Sequence, residues 1–252
     1  MKKYELVTEL SEEFLCKKLF RIRALVSFEG VEAGDLGGWV EKEKNLDQAG
    51  DAWVSGDARV YGNARVSGNA RVSGNALVSG YTRVSGDAQV SGNALVSGYA
   101  RVSGDARVSG NVWVYGDAWV SGDARVYGNA RVSGDAQVYG DAQVSGNVWV
   151  YGDAQVSGNV WVYGNARVSG YARVSGDARL SGDAQVSGNV WVYGDAQVSG
   201  DVRVYGDAWV YGDAWVSGDA WVSGNARLSG DVRVYGNAMH EMRAAGIKVK
   251  ES

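Results

Sequence analysis

Two side chains that could act as a nucleophile or a general base each occur only once in the 252 residues, Cys16 and His240. A Ser/His/Asp arrangement would have to use His240, because histidine is the usual proton acceptor near neutral pH. A metal site with several histidine ligands is excluded by the single imidazole. His240 follows the last regular repeat, so we interpret its role as structural or incidental, and we interpret Cys16 as a buried residue of an N-terminal cap. We predict no catalytic residue and no cofactor.

A column of carboxylates is a second candidate for chemistry. Aspartates recur at intervals of eighteen residues at Asp87, Asp105, Asp123 and Asp141. If the chain returns to the same place every eighteen residues, they lie about one strand spacing (~4.8 Å) apart and could attract Ca²⁺. Arginines at neighbouring positions favour the alternative, in which the carboxylates are solvated and screened at exposed corners. We therefore predict no metal site.

Tryptophan and tyrosine dominate the outward positions of the repeat. Nine tryptophans and ten tyrosines stand where the repeat directs side chains away from its core. Such rings either cover one another and neighbouring arginines, or form a platform for a protein face, a sugar ring or a nucleobase. The candidate binding face that we predict has a first column of four residues and four residues near it: Arg173, Trp191, Trp209 and Arg227, with Tyr193, Tyr211, Trp215 and Trp221.

An unbroken repeat of six residues positions these side chains. Glycines stand six residues apart from Gly50 to Gly236, and each hexad reads Gly-[Asp/Asn]-Ala-x-Val-[Ser/Tyr]. The stretch Ala-x-Val-[Ser/Tyr] predicts a short strand with Ala and Val inward and x and Ser/Tyr outward. Glycine followed by Asp or Asn is typical of a turn, because these residues tolerate positive φ. Each hexad therefore predicts one strand and one corner.

The corner residues indicate how many hexads make one coil. At intervals of eighteen residues, asparagine follows asparagine from Asn75 to Asn165, and Tyr81 is followed by Tyr99. Three hexads per coil is the best period. Strands this short cannot bury a face alone, so they must stack into a parallel β-solenoid with a core of Ala and Val. Stacked asparagines suit this period, because identical amides hydrogen-bond along a column.

The repeat divides the chain into three predicted segments. Residues 1–49 form a β-rich cap, residues 50–238 the solenoid, and residues 239–252 a short capping helix and tail. A cap is expected because the first coil otherwise exposes unpaired strand edges. In the two terminal segments we predict strands at Tyr4 to Val7 and Leu19 to Phe28, a glycine-rich turn at Gly34 to Gly38, and a helix from Ala238 to Ala245.

The repeat resembles the hexapeptide-repeat family. An aliphatic residue is followed four positions later by a small one, as in Val54 and Ala58, over about three quarters of the chain. The resemblance implies a single-stranded left-handed parallel β-helix of about ten coils, a hand that spacing alone does not give. Residues 31–40, Val-Glu-Ala-Gly-Asp-Leu-Gly-Gly-Trp-Val, continue through Asn45 and Leu46 into the first hexad. This stretch is similar to the N-terminal segment of YdcK-type proteins and of prophage-borne relatives.

The resemblance also implies two alternatives for function. Hexapeptide-repeat acyltransferases use a histidine base beside a loop and bind acyl-CoA in a groove between subunits, whereas no loop interrupts these hexads. The prophage-borne relatives suggest an accessory protein that sequesters a small nucleotide or blocks a host factor. Both alternatives rest on the family rather than on a site in the sequence.

Composition limits the partners. The formal net charge of −4 argues against general affinity for nucleic acid. The N-terminal residues lead into glutamates rather than an apolar run, so we predict no secretory signal, no membrane span and a cytoplasmic location. The sequence thus predicts an all-β, non-catalytic scaffold or binding protein. Its outward aromatic and arginine faces would serve self-association or partner binding, with a small ligand as a further option.

Overall fold

The chain divides into two compact units, Met1–Asp123 and Ala124–Ser252. The computed structural model describes residues 2–114 without a gap and, after them, mainly the strands. The described residues beyond 114 are 116, 119–122, 125–128, 131–132, 137–139, 143–144, 149–151, 155–157, 161–162, 167–169, 173–175, 179–181, 184–188, 190–194, 197–199, 203–206, 208–211, 215–217, 221–223, 227–229, 233–235 and 239–241.

Three antiparallel strands open the first unit. They are β1 (Tyr4–Phe14), β2 (Lys17–Ala24) and β3 (Leu36–Val40), and a 3₁₀ turn over Glu43–Asn45 follows them. β2 lies between β1 and β3 and pairs antiparallel with both. Tyr4, Leu19 and Ile22 are fully buried. The interior of this segment therefore consists of larger side chains than the Ala and Val that fill the core of the repeat.

The strands of this cap differ in length from the predicted ones. β1 runs to Phe14 rather than ending at Val7, because the two-residue turn Leu15–Cys16 folds it directly onto β2. β2 ends at Ala24, and Phe28 instead closes a small turn. The turn at Leu15–Cys16 has φ values of 47° and 60°, which neither residue type favours. Pairing along the hairpin of β1 and β2 therefore sets this turn, and the residue types at the turn do not indicate it.

The predicted glycine-rich turn at Gly34 to Gly38 is wrong for its second half. Gly37 and Gly38 lie within β3. A Cβ atom on Gly38 would lie 2.7 Å from the Ala58 carbonyl oxygen and 2.7 Å from Val54 Cγ1. Glycine is required here because β3 approaches the first coil closely, and not because the chain turns.

Asn45 joins the cap to the first coil through buried hydrogen bonds. Its Nδ2 donates to the Ala64 carbonyl at 2.8 Å and to the Gly62 carbonyl at 3.3 Å. Its Oδ1 accepts a hydrogen bond from the Lys42 N–H at 2.9 Å. A buried carbonyl oxygen without a hydrogen-bond donor costs folding free energy. The fully buried Asn45 side chain supplies such donors and so stabilises the junction between the cap and the first coil.

Lys3 makes a second buried polar link between cap and repeat. Its Nζ donates to the Gly50 carbonyl at 3.1 Å and to the Ala52 carbonyl at 2.8 Å, and lies 5.2 Å from the centre of the Phe28 ring. Burial lowers the pKa of this ammonium group, although the nearby carboxylates favour its charged form.

Glu41 ties β3 to the next coil. Its carboxylate accepts a hydrogen bond from the Gly62 N–H at 2.6 Å and one from Lys17 Nζ at 3.2 Å. Burial alone would raise the pKa of Glu41, but these hydrogen bonds and the charges of Lys17 and Lys42 outweigh it. The pKa of Glu41 therefore lies below its ordinary value.

The rest of the first unit is a parallel solenoid with three ladders. Residues pair with residues eighteen positions on, as in Leu77 with Leu95 and Arg83 with Arg101. This register confirms three hexads per coil. The first ladder contains β3, Arg59–Val60, Leu77–Val78, Leu95–Val96 and Trp113–Val114; the second Trp53–Val54, Arg71–Val72, Gln89–Val90 and Arg107–Gly110; the third Arg65–Val66, Arg83–Val84, Arg101–Val102 and Trp119–Ser121.

The corners and the core of the first unit have the predicted chemistry. Gly80 has φ 71°, and a Cβ atom there would lie 2.8 Å from the Gly98 oxygen one coil away. Inward Ala and Val side chains, from Ala52 to Val114, are fully buried. The one buried Thr, Thr82, donates its hydroxyl to the Ser79 carbonyl at 2.7 Å, which satisfies its polar group.

The second unit also has three parallel ladders with a step of eighteen residues. The Trp191 ladder contains Gln137–Tyr139, Gln155–Ser157, Arg173–Ser175, Trp191–Tyr193, Trp209–Tyr211 and Arg227–Ser229. The Trp215 ladder contains Arg125–Gly128, Gln143–Val144, Trp161–Val162, Arg179–Ser181, Gln197–Ser199, Trp215–Ser217 and Arg233–Tyr235. The Trp221 ladder contains Arg131–Val132, Trp149–Tyr151, Arg167–Ser169, Gln185–Gly188, Arg203–Gly206, Trp221–Ser223 and Met239–Glu241.

The predicted C-terminal helix is wrong where the structure describes it. Met239–Glu241 is a strand that pairs parallel with Trp221–Ser223. The physical reason is visible in the sequence, because Gly-Asn-Ala-Met-His-Glu at residues 236–241 continues the hexad and its corner. The remainder of the predicted helix and the tail lie outside the described residues. The hand of the coil, the number of coils and the three segment boundaries stay predictions.

Candidate binding faces

The first four residues of the predicted face share one ladder of the second unit. Arg173 is in register with Trp191, Trp191 with Trp209, and Trp209 with Arg227. The two indoles are half-buried and stack with their ring centres 5.1 Å apart and an angle of 4° between their planes. The period of eighteen therefore brings together side chains that the sequence only placed in one column.

The two tyrosines follow the same register. Tyr193 is paired with Tyr211, and Ser175 and Ser229 occupy the corresponding positions on either side of them. Trp191 and Tyr193 are two residues apart on one strand, and both occupy outward positions of the hexad pattern. These six residues thus occupy four successive strands of the Trp191 ladder.

The structure does not bring the other two tryptophans onto this ladder. Trp215 is in register with Gln197 and Arg233, and Trp221 with Arg203 and Met239. Trp215 exposes 44% of its surface. The predicted set is therefore one column of four residues with two tyrosines, plus one tryptophan on each of two other ladders.

Ring orientation limits what the Trp191 ladder can bind. Two rings that stack face to face along a ladder cover one face of each other and direct their edges outward. A nucleobase or sugar that needs an open indole face would have to approach along the ladder rather than from the side.

A second aromatic stack occurs at a corner of the first unit. Tyr81 and Tyr99, which the sequence places eighteen residues apart, stack with ring centres 5.0 Å apart and planes 5° from parallel. They expose 55% and 61% of their surfaces. One pair of identical aromatic residues one coil apart therefore stacks in each unit.

The asparagine column forms the predicted amide ladder. Asn75 Nδ2 donates to Asn93 Oδ1 at 3.2 Å, and Asn93 Nδ2 donates to Asn111 Oδ1 at 3.1 Å. Asn69 likewise donates to Asp87 at 2.9 Å, so this carboxylate accepts an amide hydrogen bond. Among the residues that the structure describes, no group of three or more His, Cys, Asp and Glu side chains could hold a metal ion. Two members of the aspartate column, residues 123 and 141, lie outside that part of the chain.

The residues that we considered for catalysis are Cys16 and His240. Cys16 is exposed, so its prediction as a core residue is wrong. The physical reason is that it lies in the tight turn between β1 and β2 rather than in a strand that packs on the core. The backbone of His240 is in register with Val222 in the last strand of the Trp221 ladder. His240 therefore stands at a position of the repeat itself, and the structural or incidental role that we gave it stays a prediction.

The repeat matches the model of one protein family directly. Five stretches match the family described as YdcK beta-solenoid repeat, namely residues 52–68, 58–73, 172–188, 184–200 and 196–212. Over these stretches the chain is similar to hexapeptide-repeat β-helix proteins of the YdcK-like group. A further stretch of this YdcK-like chain, residues 76–177, matches bactofilin, which is described as polymer-forming cytoskeletal.

Solved structures with a similar fold include acyltransferases. The UDP-N-acetylglucosamine acyltransferase from Campylobacter jejuni is 16% identical, with a TM-score of 0.44 and 66% of each chain covered. The enzyme from Bacteroides fragilis is also 16% identical, with a TM-score of 0.27, covering 66% of this chain and 61% of that one. This chain thus spans slightly less than two thirds of the first of them. Likeness at this level concerns the fold alone, and no curated protein matches the chain.

One feature of this YdcK-like chain was missed by the sequence reasoning. Leu77 and Leu95 are the only leucines at the outward x position, and they are neighbours on the first ladder. Sorting the x position by eighteen, as was done for the corners, would have found them.

The part of the chain that the structure describes has no helix with the length and hydropathy that a membrane span requires.

Proposed function

We propose that this chain is a non-catalytic β-solenoid scaffold that associates with copies of itself through its outward aromatic and arginine side chains. The observation that carries the proposal is the match of residues 76–177 to bactofilin, a family described as polymer-forming. The uninterrupted repeat supports it as well, because a solenoid repeats the same outward positions at every coil and so offers many equivalent contacts.

The Trp191 ladder is the surface that we propose for one of these contacts. Trp191 and Trp209 are half-buried and fixed by stacking, so ordering them in an interface costs little conformational entropy. Tryptophan and arginine are also the residue types that most often carry the binding energy of protein interfaces. Arg173 and Arg227 border the two indoles in register and would give the contact its polar rim.

The test compares wild type with Trp191→Gln/Trp209→Gln. Glutamine occupies the same outward position of the hexad at Gln185 and Gln197, so the double variant is expected to keep the fold. Sedimentation velocity over a wide range of protein concentration is expected to detect association of wild type. The variant is expected to associate only at a concentration at least about tenfold higher, because it loses ~1.4 kcal/mol or more of association free energy.

Gln197→Ala is the matched control, because it truncates an outward side chain on another ladder of the same unit. It is expected to associate as wild type does. Wild type that stays monomeric at every concentration would refute the scaffold. Wild type that associates, together with a double variant that associates equally well, would refute the Trp191 ladder as the contact.

A further inference from the structure

One face of the first unit is free of charged residues over three coils. Along the first ladder, Leu77, Leu95 and Trp113 are in register with one another, and the other outward positions of residues 75–81, 93–99 and 111–114 carry Asn, Ser and Tyr. One edge is the asparagine amide ladder and the other is the tyrosine stack. We call this the uncharged face; it consists of Leu77, Leu95, Trp113, Tyr81, Tyr99, Asn75, Asn93 and Asn111.

The uncharged face is accessible in the unit that carries it. Tyr81 exposes 55% of its surface, Tyr99 61% and Trp113 44%. Leu77 and Leu95 between them are half-buried. A patch of exposed aromatic and half-buried leucine side chains on a regular sheet is typical of an interaction surface.

The other two faces of the same coils are charged. Arg83 and Arg101 are exposed on the third ladder, and Arg107 is exposed on the second. Asp87 and Asp105 occupy the corner between these ladders. A partner that covered either of these faces would remove hydration from guanidinium and carboxylate groups, which is costly unless each ion finds a counter-charge. A partner on the uncharged face meets no such cost.

We propose that the uncharged face packs against the same face of a second copy of this chain. This inference rests on the self-association proposed above and adds a surface that the Trp191 ladder does not include. An uncharged surface lacks the means to recognise a charged partner but is complementary to itself. A two-fold contact places Leu77 and Leu95 of one copy opposite the same residues of the other, with polar edges outside.

The cap favours this lateral contact over addition of a copy at the N-terminal end. β1 is the outermost strand of its sheet, and among the described residues it has a strand neighbour on one side only. Its register shifts between Val7 and Ser11, and the exposed Glu9 and Glu13 lie on it. Irregular pairing and charges are the features with which proteins prevent further strands from adding to an edge.

The size of the uncharged face sets the expected strength of the contact. Three strands at ~4.8 Å and about six residues of ~3.3 Å across give roughly 300 Å² on each copy. A standard protein interface covers about 800 Å² on each partner. The lateral contact alone is therefore weak and depends on protein concentration, and it gains strength when a second contact acts in the same assembly.

Leu95→Arg tests the contact, with Gln89→Arg as the matched control. Both residues occupy the outward position of consecutive hexads, where Arg83 and Arg101 stand naturally, so both variants are expected to fold as judged by circular dichroism. We expect Leu95→Arg to shift association in sedimentation velocity to at least about tenfold higher concentration, and Gln89→Arg to match wild type. If wild type associates and Leu95→Arg associates equally well, the uncharged face is not the contact, although the scaffold stands. If wild type never associates, both proposals are refuted.

A capture experiment tests whether the second copy contributes the same face. Tagged wild type is immobilised and offered untagged wild type or untagged Leu95→Arg. Pairing of like faces predicts that the variant is captured less well than wild type, because each mixed contact includes one arginine. If the uncharged face binds a different surface of its neighbour, tagged wild type captures the variant through its own intact face. Capture of more than about half of the wild-type amount would overturn pairing of like faces.

Discussion

Gly80→Ala tests the stacking of corners on which both proposed surfaces depend. Gly80 precedes Tyr81 at the edge of the uncharged face and has φ 71°, a conformation that costs alanine about 1–2 kcal/mol. The new Cβ atom would also lie 2.8 Å from the Gly98 oxygen and 2.9 Å from the Gly98 nitrogen. Gly34→Ala is a matched control, because Gly34 has φ 98° but nothing within 4 Å of the Cβ position.

The magnitude follows from these contacts. To restore an ordinary separation of 3.4 Å from 2.8 Å, the two corners must move apart by about 0.6 Å. That movement weakens the hydrogen bonds from Tyr81 N to the Gly98 oxygen, at 2.7 Å, and from Asn63 N to the Gly80 oxygen, at 2.8 Å. Loss of up to ~1 kcal/mol in each adds to the cost of positive φ. We expect about 2–4 kcal/mol for Gly80→Ala and about 1–2 kcal/mol for Gly34→Ala.

Amide hydrogen exchange is the appropriate assay, because a solenoid opens locally and a single global unfolding free energy is poorly defined. The Tyr81 and Asn63 amides are expected to exchange about 5–30-fold faster in Gly80→Ala than conformational strain alone would cause, which corresponds to 1–2 kcal/mol. The amides around Gly34 report the strain alone in the control variant. Equal losses of protection in the two variants would refute the inference that stacked corners require glycine for space.

Three further predictions concern the cap and the unused chemistry of the chain. Asn45→Ala loses three hydrogen bonds, so we expect the free energy of local opening, measured by exchange of the cap amides, to fall by about 3 kcal/mol. The exposed Asn63→Ala is the control and is expected to lower it by less than about 0.5 kcal/mol. Equal effects of the two substitutions would contradict the anchoring role of Asn45. The pKa of Glu41 is depressed, so its contribution to stability is complete above the ordinary value of 4.5 and is lost as the pH falls through the folded-state pKa. Glu41→Gln should therefore be less sensitive to acid in that range of a pH titration of unfolding, and an unchanged profile would count against it. Calorimetric titration with acetyl-CoA is expected to give no saturable binding to wild type, whereas saturable binding that His240→Ala weakens would support an acyltransferase instead.

The sequence predicted the repeat well and the cap poorly, for a physical reason. In the repeat, every strand pairs with a strand of the same pattern, so the inward position of Val78 and the register of Leu77 with Leu95 follow from the period alone. In the cap, the turn at Leu15–Cys16 is set by the pairing of β1 with β2, and the glycines of β3 by contacts with β2 and the first coil. Local residue types give no warning of such contacts.

The candidate face was predicted in part. The column from Arg173 to Arg227 was correct because vertical neighbours are eighteen residues apart on the same ladder. The sequence also placed Trp215 and Trp221 at the same end, but the structure assigns them to two other ladders. One coil distributes successive hexads over three faces, so residues six apart in sequence cannot share a flat surface.

By itself, the sequence determined the short parallel strands, the Ala and Val core, and which residues point outward, because a six-residue period with glycine at each corner leaves few other ways to bury an apolar face. Tertiary structure decided how the outward side chains meet. Trp191 and Trp209 cover each other with parallel rings, Asn93 bonds to both of its neighbours, and Gly38 lies in a strand. These outcomes depend on atoms that only the stacking of coils brings within contact distance, and a pattern of residue types contains no information about ring orientation.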